Sequence, residues 1–362
     1  MIRIRNVTKR FGNADVLKGI TLDIKKGEIF TLIGPSGSGK TSVLRILDLL
    51  EKPTSGTYLF DGTDTQAPGA DELGIRRRMA MVFQKPAVLN TTVEENVAFG
   101  LKFRKTESAL VAARVASALD LVGLSNLSRR RAVTLSGGEM QRVAIARAMV
   151  TDPEVLLMDE PTANLDPVSS DTIESLIQRI NHDHKTTIIL ATHDMAQGQR
   201  LADRIGVMMD GRLVQQGTSH DIFYRPGGRQ IARFVGIDSA LTGTVSTNTG
   251  GHACIDVHGT RIEAITSLPP HTRVELYLRP EEVTIAIPHS SDKERKSVRN
   301  HIPGTITKLV PHGPFIRVTV DCGFLLIALV TRLSCEDLHL ATGMPVIAEI
   351  KATAIHVVAA AT

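Results

Sequence analysis

The chain has 362 residues, 42% of them hydrophobic and 22% charged, with no Trp and a formal net charge of +4. That length is too great for one small domain and suits two, and the positive excess is too small to argue for nucleic acid as a partner. The three cysteines, Cys254, Cys322 and Cys335, form no C-x-x-C pair, and no apolar run approaches the ~18 residues that cross a bilayer. This excludes a disulfide framework, a zinc site and a membrane-spanning helix, and it fits a reducing compartment.

In chain order, Met1-Ile2-Arg3-Ile4-Arg5 alternates as a half-buried strand does, with no targeting signal before it. Residues 29–33 are an unbroken apolar run and read as a strand buried on both faces. Gly34-Pro35-Ser36-Gly37-Ser38-Gly39-Lys40-Thr41 follows, and a helix-like run covers 42–50. The pattern G-x-x-x-x-G-K-S/T between a strand and a helix is that of a phosphate loop. Its glycines let backbone N–H groups crowd around phosphates, and the helix N-terminus adds positive potential. Lys40 then reaches the β- and γ-phosphates, and the Thr41 hydroxyl binds Mg²⁺. The basic runs at 76–78 and 129–131 read as solvated faces.

Residues 110–122 and 141–150 read as helices. Residues 155–158 form a second buried strand ending in Asp159-Glu160, and 187–191 form a third. Strands alternating with helices give an α/β class, whose ligands bind outside the carboxyl ends of the strands. Asp159 is placed there to hold Mg²⁺ through water, and Glu160 to polarise an attacking water.

The phosphate loop alone indicates an NTPase. Leu135-Ser136-Gly137-Gly138-Glu139-Met140-Gln141-Arg142 resembles the signature sequence of ABC ATPases. It reads physically as a nest at a helix N-terminus, with backbone N–H groups offered to an anion. The resemblance implies that Ser136, Gly137 and Gly138 close over the γ-phosphate bound by a second subunit, in a head-to-tail homodimer enclosing two ATP molecules. It further implies that Gln84 is the Q-loop residue sensing Mg²⁺ and a transmembrane partner. Asp166, in Asn164-Leu165-Asp166, belongs to the D-loop. His193 is the switch histidine on the γ-phosphate, and Phe11 stacks on adenine. A lone His or Phe is most often a packing residue; the ordered set gives these two their functional reading. One departure is the segment 194–198, Asp-Met-Ala-Gln-Gly, more polar than is usual after the switch histidine.

The resemblance covers about 1–235. From 236 the texture is all-β: 274–278, 284–287, 315–320 and 346–350 are short strands divided by Gly and Pro. The polar stretch 288–296 reads as a linker between an OB-like module (240–288) and a Mop-like module (297–358). Leu278-Arg279-Pro280-Glu281-Glu282-Val283 resembles a motif of OB-like regulatory domains appended to importer ATPases. Ser297-Val298-Arg299-Asn300, with Ile302-Pro303-Gly304 after it, resembles the opening of molybdate-binding modules. Ile350-Lys351-Ala352-Thr353-Ala354 resembles their closing strand. Ser297, Arg299, Asn300, Lys351 and Ala352 are the candidate oxyanion residues.

The fold expected is therefore an α/β P-loop NTPase, an ABC ATPase with a helical subdomain, followed by a smaller all-β OB-like domain. The resemblance implies an ATP- and Mg²⁺-dependent subunit peripheral to the cytoplasmic face of a membrane. It would energise permease subunits and an extracytoplasmic solute-binding protein in oxyanion uptake, of molybdate or tungstate. Import of sulfate, ferric iron, sugar or polyamine is the alternative within transport, and a non-transport ABC regulator the alternative outside it.

Overall fold

The apolar runs become strands of one sheet in the computed structural model, which describes residues 1–237, 239–288 and 297–360. In chain order the strands are β1 (Ile2–Phe11), β2 (Ala14–Ile24), β3 (Ile29–Ile33), β4 (Ser55–Phe60), β5 (Thr63–Asp64), β6 (Met79–Val82), β7 (Val155–Asp159), β8 (Thr187–Thr192), β9 (Arg204–Met209) and β10 (Arg212–Gly217). The helices are α1 (Lys40–Leu47), α2 (Glu72–Arg77), α3 (Val93–Phe103), α4 (Ser108–Leu121), α5 (Gly137–Met149), α6 (Pro167–His184) and α7 (Met195–Leu201). One sheet runs β10-β9-β3-β8-β7-β6, parallel from β9 to β6; a second, antiparallel, runs β2-β1-β4-β5.

The central strands are apolar throughout because both faces are covered. Along β7, Leu156 and Met158 pack into a core shared with α3 to α6. Val155 and Leu157 face a second core with α1 and the antiparallel sheet. Helix bounds differ from the sequence expectation at their ends. The first helix stops before Leu49, whose φ of 55° leaves the helical region. The signature helix starts earlier because Ser136 caps it: its Oγ accepts from Glu139 N at 3.2 Å, and the Glu139 carboxylate accepts from Ser136 N at 2.8 Å.

The chain divides into two units, Met1–Asp221 and Ile222–Thr362. The boundary falls before the texture change near residue 235. Helix α8 (Ser219–Tyr224) ends beyond it, and α9 (Arg229–Phe234) is wholly in the second unit. Residues in this stretch bond within the second unit. The Phe223 carbonyl accepts from the Arg279 guanidinium at 3.0 and 3.1 Å, and the Pro226 carbonyl from His356 Nε2 at 3.2 Å.

The second unit holds β11 (Ser239–Thr249), β12 (His252–Val257), β13 (Thr260–Ile265), β14 (Arg273–Leu278), β15 (Val283–Ala286), β16 (Asn300–His312), β17 (Phe315–Asp321), β18 (Leu325–Thr331), helix α10 (Arg332–Asp337), β19 (Pro345–Ile350) and β20 (His356–Ala359). Two five-stranded antiparallel sheets form, β13-β12-β11-β14-β20 and β15-β19-β16-β17-β18. They are not the two separate modules expected. The last strand, β20, completes the first sheet on β14, and β15 completes the second on β19, so one core serves both. Of the expected linker 288–296, all but Pro288 lies outside the described residues.

Asn300 ties this unit together. It is 3% exposed. Its Oδ1 accepts from Glu263 N at 2.7 Å, and its Nδ2 donates to Glu263 O at 2.9 Å and Ile350 O at 3.1 Å. Both amide protons are engaged, so the reading of Asn300 as an oxyanion donor does not hold in this geometry. Asn300→Ala would leave a buried N–H and two carbonyls unpaired. It is expected to destabilise the second unit by about 2–4 kcal/mol. Calorimetric unfolding of the full chain checks this; an unchanged transition would show that the amide does not brace the sheets.

Candidate nucleotide site

Parallel register sets the site. Ile33 pairs with Thr192, Asp159 with Ala191, and Val82 with Met158. The phosphate loop, Glu160, His193 and Gln84 therefore leave the sheet at the same carboxyl edge, where ligands bind. Gln84 is exposed two residues beyond β6.

The loop 34–39 is shaped by what its glycines lack. A Cβ on Gly34 would stand 2.2 Å from the Met208 carbonyl oxygen. Gly39 has φ 101° and would meet Leu17 at 2.7 Å, whereas Gly37, at φ 80°, faces open space. The Ser38 hydroxyl is buried with no partner among the described residues. Lys40 is 6% exposed and curls back, its Nζ donating to Gly34 O at 2.8 Å and Pro35 O at 3.2 Å. Such a cradle, with an orphaned hydroxyl and a buried ammonium resting on loop carbonyls, fits a polyphosphate. Pro35 and Ser36 complete its turn, Ser38 N donating to Pro35 O at 3.2 Å.

Thr41 Oγ1 donates to Asp159, 2.9 Å from Oδ2 and 3.2 Å from Oδ1. Hydroxyl and carboxylate together are the hard-oxygen set that suits Mg²⁺. Burial pushes the Asp159 carboxyl up, opposed by the Thr41 hydrogen bond and the charge of Lys40. Burial pushes Lys40 down, opposed by Glu160 and Asp159. Desolvation thus outweighs mutual attraction for both partners.

Glu160 N donates to Ala191 O at 2.8 Å and its φ is 48°, a left-handed backbone that costs about 1–3 kcal/mol for a residue with a side chain. This turn aims the carboxylate at His193, whose Nδ1 lies 2.7 Å from Glu160 Oε2. The two residues, read separately from sequence, form a dyad.

Phe11 is 45% exposed at the end of β1, with Lys9 Nζ 4.8 Å from its ring centre. It is not a core residue and is free to stack. Near that hairpin tip, the Val16 carbonyl lies against Gly39 and Gly211. Ser136 is exposed. A Cβ on Gly138 would meet Ser169 Oγ at 2.6 Å, and one on Gly137 would lie 3.4 Å from Leu165. Hence the signature helix starts against the N-terminus of α6. Asp166 caps that helix, its two oxygens accepting from Ser169 N at 2.9 Å and Ser169 Oγ at 2.6 Å. Those bonds hold its carboxyl below the usual range. No hydrogen bond found for Ser136 among the described residues reaches the loop 34–41; its partner is Glu139.

In the second unit Ser297, Arg299 and Lys351 are exposed and Ala352 is buried. Pairing of Asn300 with Ile350 sets the two expected oxyanion segments side by side. Sequence reading passed over Thr162 and Glu174; the polar segment 194–198 was the signal for them, because buried Gln197 reaches both.

The raised Asp159 carboxyl has a testable sign. A carboxyl whose folded pKa is raised favours the fold below its unfolded value, and that contribution is lost as pH rises through the folded value. Asp159→Asn is therefore expected to raise the unfolding midpoint of the nucleotide-free chain at pH 8, with the gain vanishing below about pH 4. Thermal unfolding against pH checks this, and a lower midpoint for the variant at pH 8 would contradict it.

A family model described as ABC transporter matches residues 17–163, and one described as TOBE domain matches 296–357. The molybdate/tungstate import ATP-binding protein WtpC of Pyrococcus horikoshii is 35% identical over 99% of this chain and 99% of its own. The sulfate/thiosulfate import ATP-binding protein CysA of Yersinia pseudotuberculosis is also 35% identical, over 88% of this chain and 85% of its own. The solved dimeric, post-hydrolysis structure of the ATP-binding cassette MJ0796, bound to ADP and Pi, superposes with a TM-score of 0.56. It is 32% identical and covers 60% of this chain and 99% of that one. No helix among the described residues is long and apolar enough to cross a membrane. With its cradle, its capped signature helix and these matches, the chain belongs to the ATP-binding proteins of the ABC transporter family, an importer-type ATPase on a P-loop fold followed by an all-β TOBE domain.

Proposed function

We propose that the chain powers uptake of molybdate or tungstate, acting as a homodimer on the cytoplasmic face of the membrane. There it would work on permease subunits fed by an extracytoplasmic solute-binding protein. The observation that carries this reading is the end-to-end match, 99% of both chains, to a molybdate/tungstate import relative. That match includes the unit carrying Ser297, Arg299 and Lys351. Sulfate import is the second reading, favoured by an equal 35% identity to the sulfate relative over a shorter span.

In this account the loop amides and Lys40 bind the β- and γ-phosphates of ATP, and Phe11 stacks on the base. Thr41 and Asp159, with Gln84 nearby, would hold Mg²⁺, which when bound neutralises phosphate charge. Glu160 takes the proton of the attacking water as general base. His193 orients Glu160 through its 2.7 Å hydrogen bond and reaches toward the γ-phosphate. Ser136, Gly137 and Gly138 of one protomer present the start of a helix to the ATP of its partner, and Asp166 fixes the neighbouring helix against which that motif packs.

The exposed Ser297, Arg299 and Lys351 supply a hydroxyl and two cations suited to a tetrahedral dianion. Held there, the anion would inhibit the transporter by its difference in affinity between dimer arrangements; about 1.4 kcal/mol gives a tenfold effect. Isothermal calorimetry of the full chain with molybdate, tungstate and sulfate tests the substrate. The expected result is binding of the first two at least tenfold tighter than sulfate, a gap lost in Lys351→Ala. Equal weak binding of all three would return the choice to the alternatives.

A further inference from the structure

Helix α7 begins two residues after His193 and is capped by Asp194, whose Oδ1 accepts from Ala196 N at 2.9 Å and Gln197 N at 3.1 Å. Gln197, on its buried face, has no exposed surface at all. Its Nε2 donates to Thr162 Oγ1 at 2.7 Å and to Glu174 Oε1 at 3.3 Å. The Glu174 carboxylate, 8% exposed on α6, is also gripped by Arg200 at 2.7 and 2.9 Å. That ion pair by itself joins α6 to α7. What Gln197 adds is Thr162. Its Oε1 is buried without a partner among the described residues, a cost that an apolar residue of the same length would avoid. In this geometry the amide serves as a donor.

Thr162 is two residues beyond Glu160. The loop between is closed by Ala163 N donating to Glu160 O at 3.1 Å and Leu165 N donating to Thr162 O at 3.2 Å. Two hydrogen bonds thus clamp the same pair of segments: His193 to Glu160 at 2.7 Å, and, four residues and two residues further along, Gln197 to Thr162 at 2.7 Å. A left-handed Glu160 persists only where its surroundings over-determine it. We infer that Gln197 is a positioning residue for hydrolysis: by holding Thr162 it fixes the loop that aims Glu160 at His193. This rests on the assignment of Glu160 and His193 made above.

The test is a double-mutant cycle on the full-length chain, read as steady-state ATP hydrolysis and as nucleotide binding by calorimetry. Gln197→Met and Thr162→Val each remove the bond while keeping side-chain size. Each is expected to lower kcat about tenfold with KM and ATP affinity changed less than about twofold, and the double variant to be no slower than either single. Gln197→Glu is the rescue control: the Thr162 hydroxyl can donate to its carboxylate, so its kcat should stay nearer the parent's than that of Gln197→Met. If Gln197→Met fails to fold, Thr162→Val still decides. Unchanged kcat in Thr162→Val, or losses that multiply to about a hundredfold in the double variant, would overturn the inference. Glu160→Gln is run alongside: its near-normal hydrolysis would instead overturn the underlying assignment of the base.

Discussion

Everything at the nucleotide site depends on the register of parallel strands. With Ile33 beside Thr192 and Asp159 beside Ala191, the strands end level, and the residues that follow have nowhere to go but the same edge. The result is a concentration of charge in a poorly solvated place, with Lys40 and Asp159 both 6% exposed. Burial drives the first toward losing its proton and the second toward keeping one. A polyphosphate with a divalent cation would relieve both demands at once, because it supplies opposite charges to each group. The sheet thus holds an electrostatic debt that its substrate settles, which is the usual relation between a functional site and stability.

The same economy of geometry is seen in the second unit. Strands β15 and β20 each complete the other sheet, so neither half can fold as a closed module on its own strands. Asn300 reinforces the exchange by bonding β13 and β19 together. An anion held by the neighbouring Ser297, Arg299 and Lys351 would therefore act on a braced element. Strain there would be transmitted through packed sheets rather than absorbed by a loose loop.

The central strands were legible because burial on both faces leaves an unbroken apolar run, as in residues 155–158 and 187–191. The phosphate loop was legible because backbone crowding demands glycine at Gly34 and Gly39. The start of the signature helix was legible in part: Ser136-Gly137-Gly138 read as a helix N-terminus, but the helical run was placed only from Gln141, because the reciprocal cap of Ser136 and Glu139 precedes the apolar periodicity. Strand exchange in the second unit was invisible, because β20 chooses a partner far away in sequence and nothing local encodes that choice. Asn300 was misread for a related reason: a polar residue in a ligand-like motif looks the same in sequence whether its amide faces an anion or Glu263 and Ile350. Gln197 was noticed as a departure, but its meaning needed the position of Thr162.

The signature motif supplies the strongest constraint on assembly. Within one chain its glycines pack on Leu165 and Ser169, and Ser136 bonds to Glu139 rather than to the loop that would hold ATP. The central claim is that a working site is shared between two copies. Mixing chains carrying Ser136→Arg with chains carrying Lys40→Ala measures it most directly, since one intact composite site forms only in the mixed dimer. Each variant alone is expected to be inactive, and the mixture to hydrolyse ATP well above their sum. A mixture no more active than the separate variants would contradict it.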